Sequence, residues 1–199
     1  MVSNNKKQLP FGFRLFFKYL AVKRFIFLKL FSNARLSLSA TRIVQPTQFL
    51  GDGEILIGKS QIGFWPSPHL LAGISYLEVR SATAKIIIGD DTIINNNAII
   101  TAERSSIKIG DRCLIGHGFC AIDSDFHGLT IADRTSGNYE CLPVEIGNDV
   151  LIGADVKVLK GVTIGDGAVI GAGSIISGDV PPNAVVVSGP ARILGYLDN

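Results

Sequence analysis

From residue 146 onward the chain counts in sixes. Ile146, Ile152, Val158, Ile164, Ile170 and Ile176 stand six apart, and four of them are followed by glycine, at Gly147, Gly153, Gly165 and Gly171. Four places after each aliphatic comes a small side chain: Val150, Val156, Val162, Ala168, Ser174 and Val180. The same frame holds at Ile88, Ile94 and Ile100, with Thr92 and Ala98 in the small slot, and resumes at Ile109 and Ile115, with Cys113 there. Arg104 and Phe119 break the small-residue rule, and Ile57-Gly58 and Ile62-Gly63 are weaker fragments of it. A helix repeats every 3.6 residues and a strand every two, so neither fits. Six residues suit a short strand and a corner. Three such units close a triangular coil of about 18 residues, in which the aliphatic points inward and stacks on the coil below. Coils then stack at about 4.8 Å with hydrogen bonds running between them, and only the two ends need caps. The expectation is an all-β chain, a parallel β-helix.

Composition removes the competing classes. At 47% hydrophobic residues the chain has enough apolar surface for a core and is not disordered. Its 22 glycines follow no Gly-X-Y period, which excludes collagen. No window offers about 18 apolar residues free of charge, so no spanning helix is expected. Cys113, Cys120 and Cys141 are an odd number without metal-type spacing. They fit reduced thiols in a cytosol.

The charge is divided unevenly. Residues 1–42 hold nine basic residues and no acidic one, which leaves residues 43–199 with ten basic and seventeen acidic, a net of −7. The stretch Phe11 to Leu38 reads as a helix starting after Pro10, with Ser32-Asn33 as a break. At about 100° per residue, Arg14, Lys18, Arg24, Lys29 and Arg35 fall within about 140° of arc, with Lys23 opposite and Phe, Leu and Ile elsewhere. We therefore divide the chain into a basic amphipathic helical arm, 1–45, and a β-helix domain, 46–199. The arm, chiefly residues 11–38, suits an anionic membrane surface. It equally suits packing against the rest of the protein. No nucleic-acid partner is expected.

The run PVEIGNDVLIGADVKVLKGVTIGDGAVIGAGSIISGDVPPNAVVVSGPARIL, Pro143 to Leu194, resembles the C-terminal half of hexapeptide-repeat acyltransferases. Among these it resembles galactoside and maltose O-acetyltransferases and their polysaccharide-modifying relatives. The resemblance spans about residues 86–194. It implies a left-handed parallel β-helix, an acetyl-CoA donor and a homotrimer with sites between adjacent prisms.

The frame stops between Ala121 and Pro143, where the chain reads AIDSDFHGLTIADRTSGNYECLP. An excursion of that length on a rigid scaffold marks function. Moving acetyl from a thioester to a hydroxyl needs a base near neutral pH, and imidazole, with an ordinary pKa of about 6.5, is the closest side chain to that task. His127 is the candidate, and the resemblance assigns the same role to it. Asp123, Asp125 and Glu140 are near enough in sequence to orient it, although each alone reads equally well as a solvated loop carboxylate, and Asp125 is also placed with the acceptor. Asn95 aligns with an asparagine that contacts the sugar acceptor in the family. Gly153, Ala154, Ala172, Ser174 and Arg192 fall on the family's donor positions, Arg192 as a partner for a CoA phosphate. The glycines there also serve corner geometry alone. Gly178 stands where the family has a lysine, Leu151 where a tryptophan is common, and no acidic residue precedes Asp52. His69 and His117 do not match the three-histidine spacing of β-helical carbonic anhydrases, and no metal is expected. The expected activity is O-acetylation of a saccharide, of the surface-polysaccharide type (O-antigen or capsule), in the cytoplasm or at the inner membrane face. The alternatives are N-acetylation of an amino sugar and a noncatalytic β-helical scaffold.

Overall fold

The computed structural model describes residues 11–187. After one helix, Phe11–Lys29, short strands visit three sheets in rotation, the first face being marked by a single bridge, Ile164 to Val180, before the last strand, and every pair within a sheet is parallel. The first face runs through Arg35–Leu38, Glu54–Ile57, Lys85–Ile88, Ser106–Ile109, Val144–Ile146 and Thr163–Ile164. The second runs from Arg42–Ile43 through Gln61–Ile62, Ile93–Ile94, Leu114–Ile115, Leu151–Ile152 and Val169–Ile170 to Val185–Val186. The third comprises Thr47–Gly51, Ser75–Val79, Ile99–Ala102, Cys120–Ile122, Lys157–Val158 and Ile175–Ile176.

Pairing in register puts like on like. Ile57, Ile88, Ile109, Ile146 and Ile164 form one column. Ile62, Ile94, Ile115, Ile152 and Ile170 form the second. Phe49, Leu77, Ile100, Ala121, Val158 and Ile176 form the third. All are buried in one continuous core, with the small-slot residues between them. The sequence exceptions have local causes. Phe119 is fully buried, and its coil carries the smallest inward residue of the third column, Ala121, so volume is conserved. Arg104 is exposed because Ile99–Ala102 runs on to Ala102 before the corner.

At the corner between the first and second faces, side-chain oxygens climb the coil. Asp90 Oδ1 accepts from Lys59 N (2.7 Å), Asp111 Oδ1 from Asp90 N (2.7 Å), Asn148 Oδ1 from Asp111 N (2.9 Å) and Asp166 Oδ1 from Asn148 N (2.7 Å). Corner amides that no strand can pair are satisfied this way.

The prism begins earlier than the sequence division at residue 45. Arg35–Leu38 pairs with Glu54–Ile57, and Arg42–Ile43 with Gln61–Ile62, so residues 35–45 are already the first coil. Ser32 and Asn33 end the helical region as expected, and they also close the edge of Thr47–Gly51. Ser32 Oγ accepts from Phe49 N, Asn33 Oδ1 accepts from Gly51 N, and Asn33 N donates to Phe49 O. An edge strand left bare would invite pairing with another chain. The basic arc is redistributed. Arg24 turns toward the prism and donates to the Val44 carbonyl at 3.0 Å, because Phe16, Phe17, Leu20, Phe27 and Leu28 on that side seek the prism. The outward side carries Phe11, Leu15, Tyr19, Val22 and Phe25 beside Arg14, Lys18 and Lys29.

Replacing Ile109, fully buried in mid-column, by alanine should cost about 2–5 kcal/mol. Urea unfolding followed by circular dichroism measures it.

Candidate active site

The excursion after Cys120–Ile122 leaves and returns at one place, so the coil frame survives it. Ser124 and Cys141 make an antiparallel bridge, and Leu142 N donates to Asp123 O at 2.8 Å. Asp123 itself is fully buried. Its carboxylate accepts from Glu103 N (2.7 Å) and Ser105 N (2.8 Å) of the neighbouring corner. Cations then hold the loop from outside. Arg80 lies over the Phe126 ring at 4.8 Å and Arg104 over the Tyr139 ring at 4.4 Å. Lys160 pairs with both Asp125 and Glu140.

Phe126 has φ +60°, a conformation that costs a bulky residue about 1–2 kcal/mol. The strain is held by Phe126 N donating to Ser124 Oγ (2.8 Å) and by Arg80 on the ring. It turns the chain so that the next side chain, His127, stands exposed over an open depression of about 630 Å³ lined by Asp125, His127, Gly128, Leu129, Arg134 and Thr135. His127 Nδ1 lies 2.7 Å from the Arg134 carbonyl oxygen. A carbonyl only accepts, so Nδ1 carries the proton and Nε2 keeps its lone pair free toward solvent. That carbonyl is fixed by a hydrogen-bonded turn in which Thr130 Oγ1 donates to Asp133 Oδ2 and Ser136 N and Oγ donate to Asp133 O. A Cβ on Gly128 would run into Asp133, so the turn can approach only because residue 128 has none.

Among the three carboxylates near His127 in sequence, Asp123 is committed to backbone amides and Asp125 and Glu140 to Lys160. The orienting group is instead the Arg134 carbonyl. Asp125 shares the depression with His127. Asn95 does not. It is half-buried on the second face, lining an apolar groove with Phe64, Ile93, Leu114 and Leu151, and its Oδ1 accepts from Asn96 N. Gly153, Ala154 and Ala172 stack on adjacent coils at the corner between the second and third faces, where a Cβ on Gly153 would lie 2.7 Å from Ala172 Cα. Ser174 is buried, and its hydroxyl donates to the Gly171 carbonyl at 2.7 Å. Arg192 lies outside the described residues. His127 and Asp125 thus occupy the edge between the third and first faces, and Asn95, Gly153, Ala154 and Ala172 another edge of the same prism.

Residues 143–178 match the family described as "Bacterial transferase hexapeptide (six repeats)". The hexapeptide-repeat containing acetyltransferase VCA0836 from Vibrio cholerae has a similar structure, at 27% identity and TM-score 0.52, over 97% of this chain and 84% of that one. The chain thus carries the repeat of that family over these residues and is similar in fold to hexapeptide-repeat acetyltransferases, which makes it an acyltransferase. Its prism is the left-handed parallel β-helix that the resemblance implied. The polysialic acid O-acetyltransferase OatWY is similar at 27% identity and TM-score 0.50, over 82% of this chain and 67% of that one. The polySia-specific acetyltransferase NeuO shares the fold at 21% identity and TM-score 0.57, over 83% and 87%.

Sequence reasoning missed several residues of this acyltransferase. Arg80 and Arg104 reach the loop from preceding coils. Arg104 gave one signal, as the residue that broke the small-slot rule. His69 and His117 come together with ring centroids 5.3 Å apart. His117 Nδ1 is buried without a hydrogen-bond partner, 3.9 Å from Asp155 Oδ1. Among the described residues no group of three or more His, Cys, Asp or Glu is placed to hold a metal.

Asp123→Ala strands two backbone amides at the loop's base. It should lower stability by about 2–4 kcal/mol, within the range for lost hydrogen bonds to a charged group, and reduce turnover as the loop loosens. Thermal unfolding and a thiol-release assay read the two effects.

Proposed function

We propose that this acyltransferase moves an acetyl group from acetyl-CoA to a hydroxyl of a saccharide, a surface-polysaccharide intermediate, with His127 as the general base. The observation that carries it is the 2.7 Å contact from His127 Nδ1 to the Arg134 carbonyl. It leaves Nε2 as the proton acceptor above an open depression. Nε2 takes the hydroxyl proton, the oxygen attacks the thioester carbonyl, and backbone N–H groups steady the oxyanion. The collapse expels CoA thiolate, to which the imidazolium can return its proton. The glycan acceptor is supported by OatWY, at 27% identity a polysialic acid O-acetyltransferase by name. Gly153, Ala154 and Ala172 are the proposed donor-side residues of the described chain, and Asn95 and Asp125 the acceptor-side ones.

The separation of His127 from Asn95 and the Gly153 corner supports a homotrimer, in which the edge of one prism meets a different edge of the next. Leu129 and Ile131 at the loop tip are 86% and 82% exposed, so a second copy has apolar surface to cover there. The outward side of the helix supports a peripheral place on an anionic membrane. Among the described residues no helix is long and apolar enough to cross one.

His127→Ala should lower turnover by about 10²–10⁴-fold with an unchanged circular dichroism spectrum, because the side chain lies outside the core. Activity near that of the native protein would move the base elsewhere. A panel of hydroxyl-bearing and amino sugars, read by thiol release, separates O- from N-acetylation, and transfer to amino sugars alone would overturn the hydroxyl acceptor. Light scattering should return three times the 21.3 kDa of one chain; an active monomer would contradict the shared site. Phe11→Ser with Phe25→Ser should weaken sedimentation with phosphatidylserine vesicles while leaving turnover on a water-soluble acceptor intact.

A further inference from the structure

Between the packed side of the helix and the second face lies a cleft of about 360 Å³, lined by Phe17, Arg24, Arg42, Gln61, Phe64 and Trp65. Two guanidinium groups share it. Arg24 is half-buried and commits one nitrogen to the Val44 carbonyl at 3.0 Å. Arg42 is exposed and donates to Gln61 Oε1 at 3.3 Å. A guanidinium has five N–H donors, so most of both forks is unused.

Neither cation has an anion. Among the described residues every ion pair involves other groups, and the sequence holds no Asp or Glu before Asp52. Burial, and then the charge of Arg42, pull the Arg24 guanidinium below its ordinary value. Like charges brought together in partly dry space disfavour each other. A bound anion reverses the sign of that interaction and gives the free N–H groups acceptors. The walls beside them are aromatic and mutually packed. Phe17 meets Trp65 edge-on at 5.7 Å between centroids, with Phe16 at 6.4 Å.

We propose that this cleft binds a phosphate or diphosphate ester, the Arg24 and Arg42 guanidiniums gripping the anion and Phe17, Phe64 and Trp65 covering the carbon skeleton attached to it. Charge selects the class. Two cations match a dianion, and the paired forks suit phosphate oxygens. The aromatic wall favours an ester over the free ion. The site is separate from the His127 depression and from the Gly153–Ala172 corner, so it goes beyond the acetyl-transfer reading. The ester could belong to a nucleoside diphosphate or to a lipid headgroup, which share this chemistry.

Calorimetric titration of the full chain with pyrophosphate tests it, and Arg42→Gln separates binding in this cleft from binding at the donor site. We expect binding that weakens about ten- to hundredfold in Arg42→Gln, the range for one hydrogen bond to a charged group. Arg24→Gln should weaken it similarly. Because Arg24 also ties the helix to Val44, Arg42→Gln is the deciding variant, with its circular dichroism spectrum as control. No binding by the native chain, or equal binding by Arg42→Gln, overturns the site. Uridine diphosphate and phosphatidic acid vesicles then separate the sources. The probe whose binding Arg42→Gln loses names the source, and loss of neither overturns the assignment.

Discussion

Everything in this molecule hangs on parallel stacking in register. Each coil donates its strand amides to the carbonyls of a neighbour, so coils cannot slide without losing a whole row of hydrogen bonds. Sliding by one residue would also turn every column residue outward. The three columns, mostly Ile, Val and Leu, are therefore both core and ruler. Corners must fit the same rise, and where they come closest only glycine does. A Cβ on Gly116, for example, would lie 2.6 Å from the Ala154 nitrogen.

A ruler of this kind makes a rigid base for an irregular loop. The 121–143 excursion is tied at its root by Asp123 and at its flanks by Arg80, Arg104 and Lys160, while its tip is a turn hydrogen-bonded within itself. Rigidity matters at two positions. Phe126 keeps its left-handed conformation only because the surroundings hold it. The Arg134 carbonyl selects the His127 tautomer only because the Thr130–Ser136 turn holds it in place. A carboxylate in that position would stabilise the imidazolium more strongly; a carbonyl orients the ring with less charge. The three nearby carboxylates are engaged in holding the loop.

The N-terminal helix belongs to the prism rather than hanging from it. Leu20 is fully buried, the Ser32-Asn33 segment closes the edge of Thr47–Gly51, and Arg24 crosses to Val44. The excess of positive charge in this part of the chain consequently has two addresses. Arg14, Lys18 and Lys29 face solvent among aromatic and aliphatic neighbours. Arg24 and Arg42 line one aromatic cleft and join no ion pair among the described residues, an arrangement that favours an anion supplied from outside.

The sequence alone determined the prism and the place of its interruption, because a six-residue period of inward aliphatics has one physical solution and a loop that breaks it is visible as lost periodicity. His127 could be singled out for the same reason, as the histidine in the longest stretch released from the frame. The tertiary structure decided what no spacing encodes. Phe119 was tolerable because Ala121 is in the same coil, and Arg104 left its slot because its strand ran on. Arg24 turned inward because packing of Phe17, Leu20 and Phe27 outweighed the solvation of one cation whose tip could still reach a carbonyl. The partner of His127 was a backbone oxygen seven residues away, and backbone atoms carry no sequence signature. His127 and Asn95 were grouped by resemblance, yet they occupy different edges of the prism. The cause is topological, since the loop leaves after the third face and Asn95 follows the second.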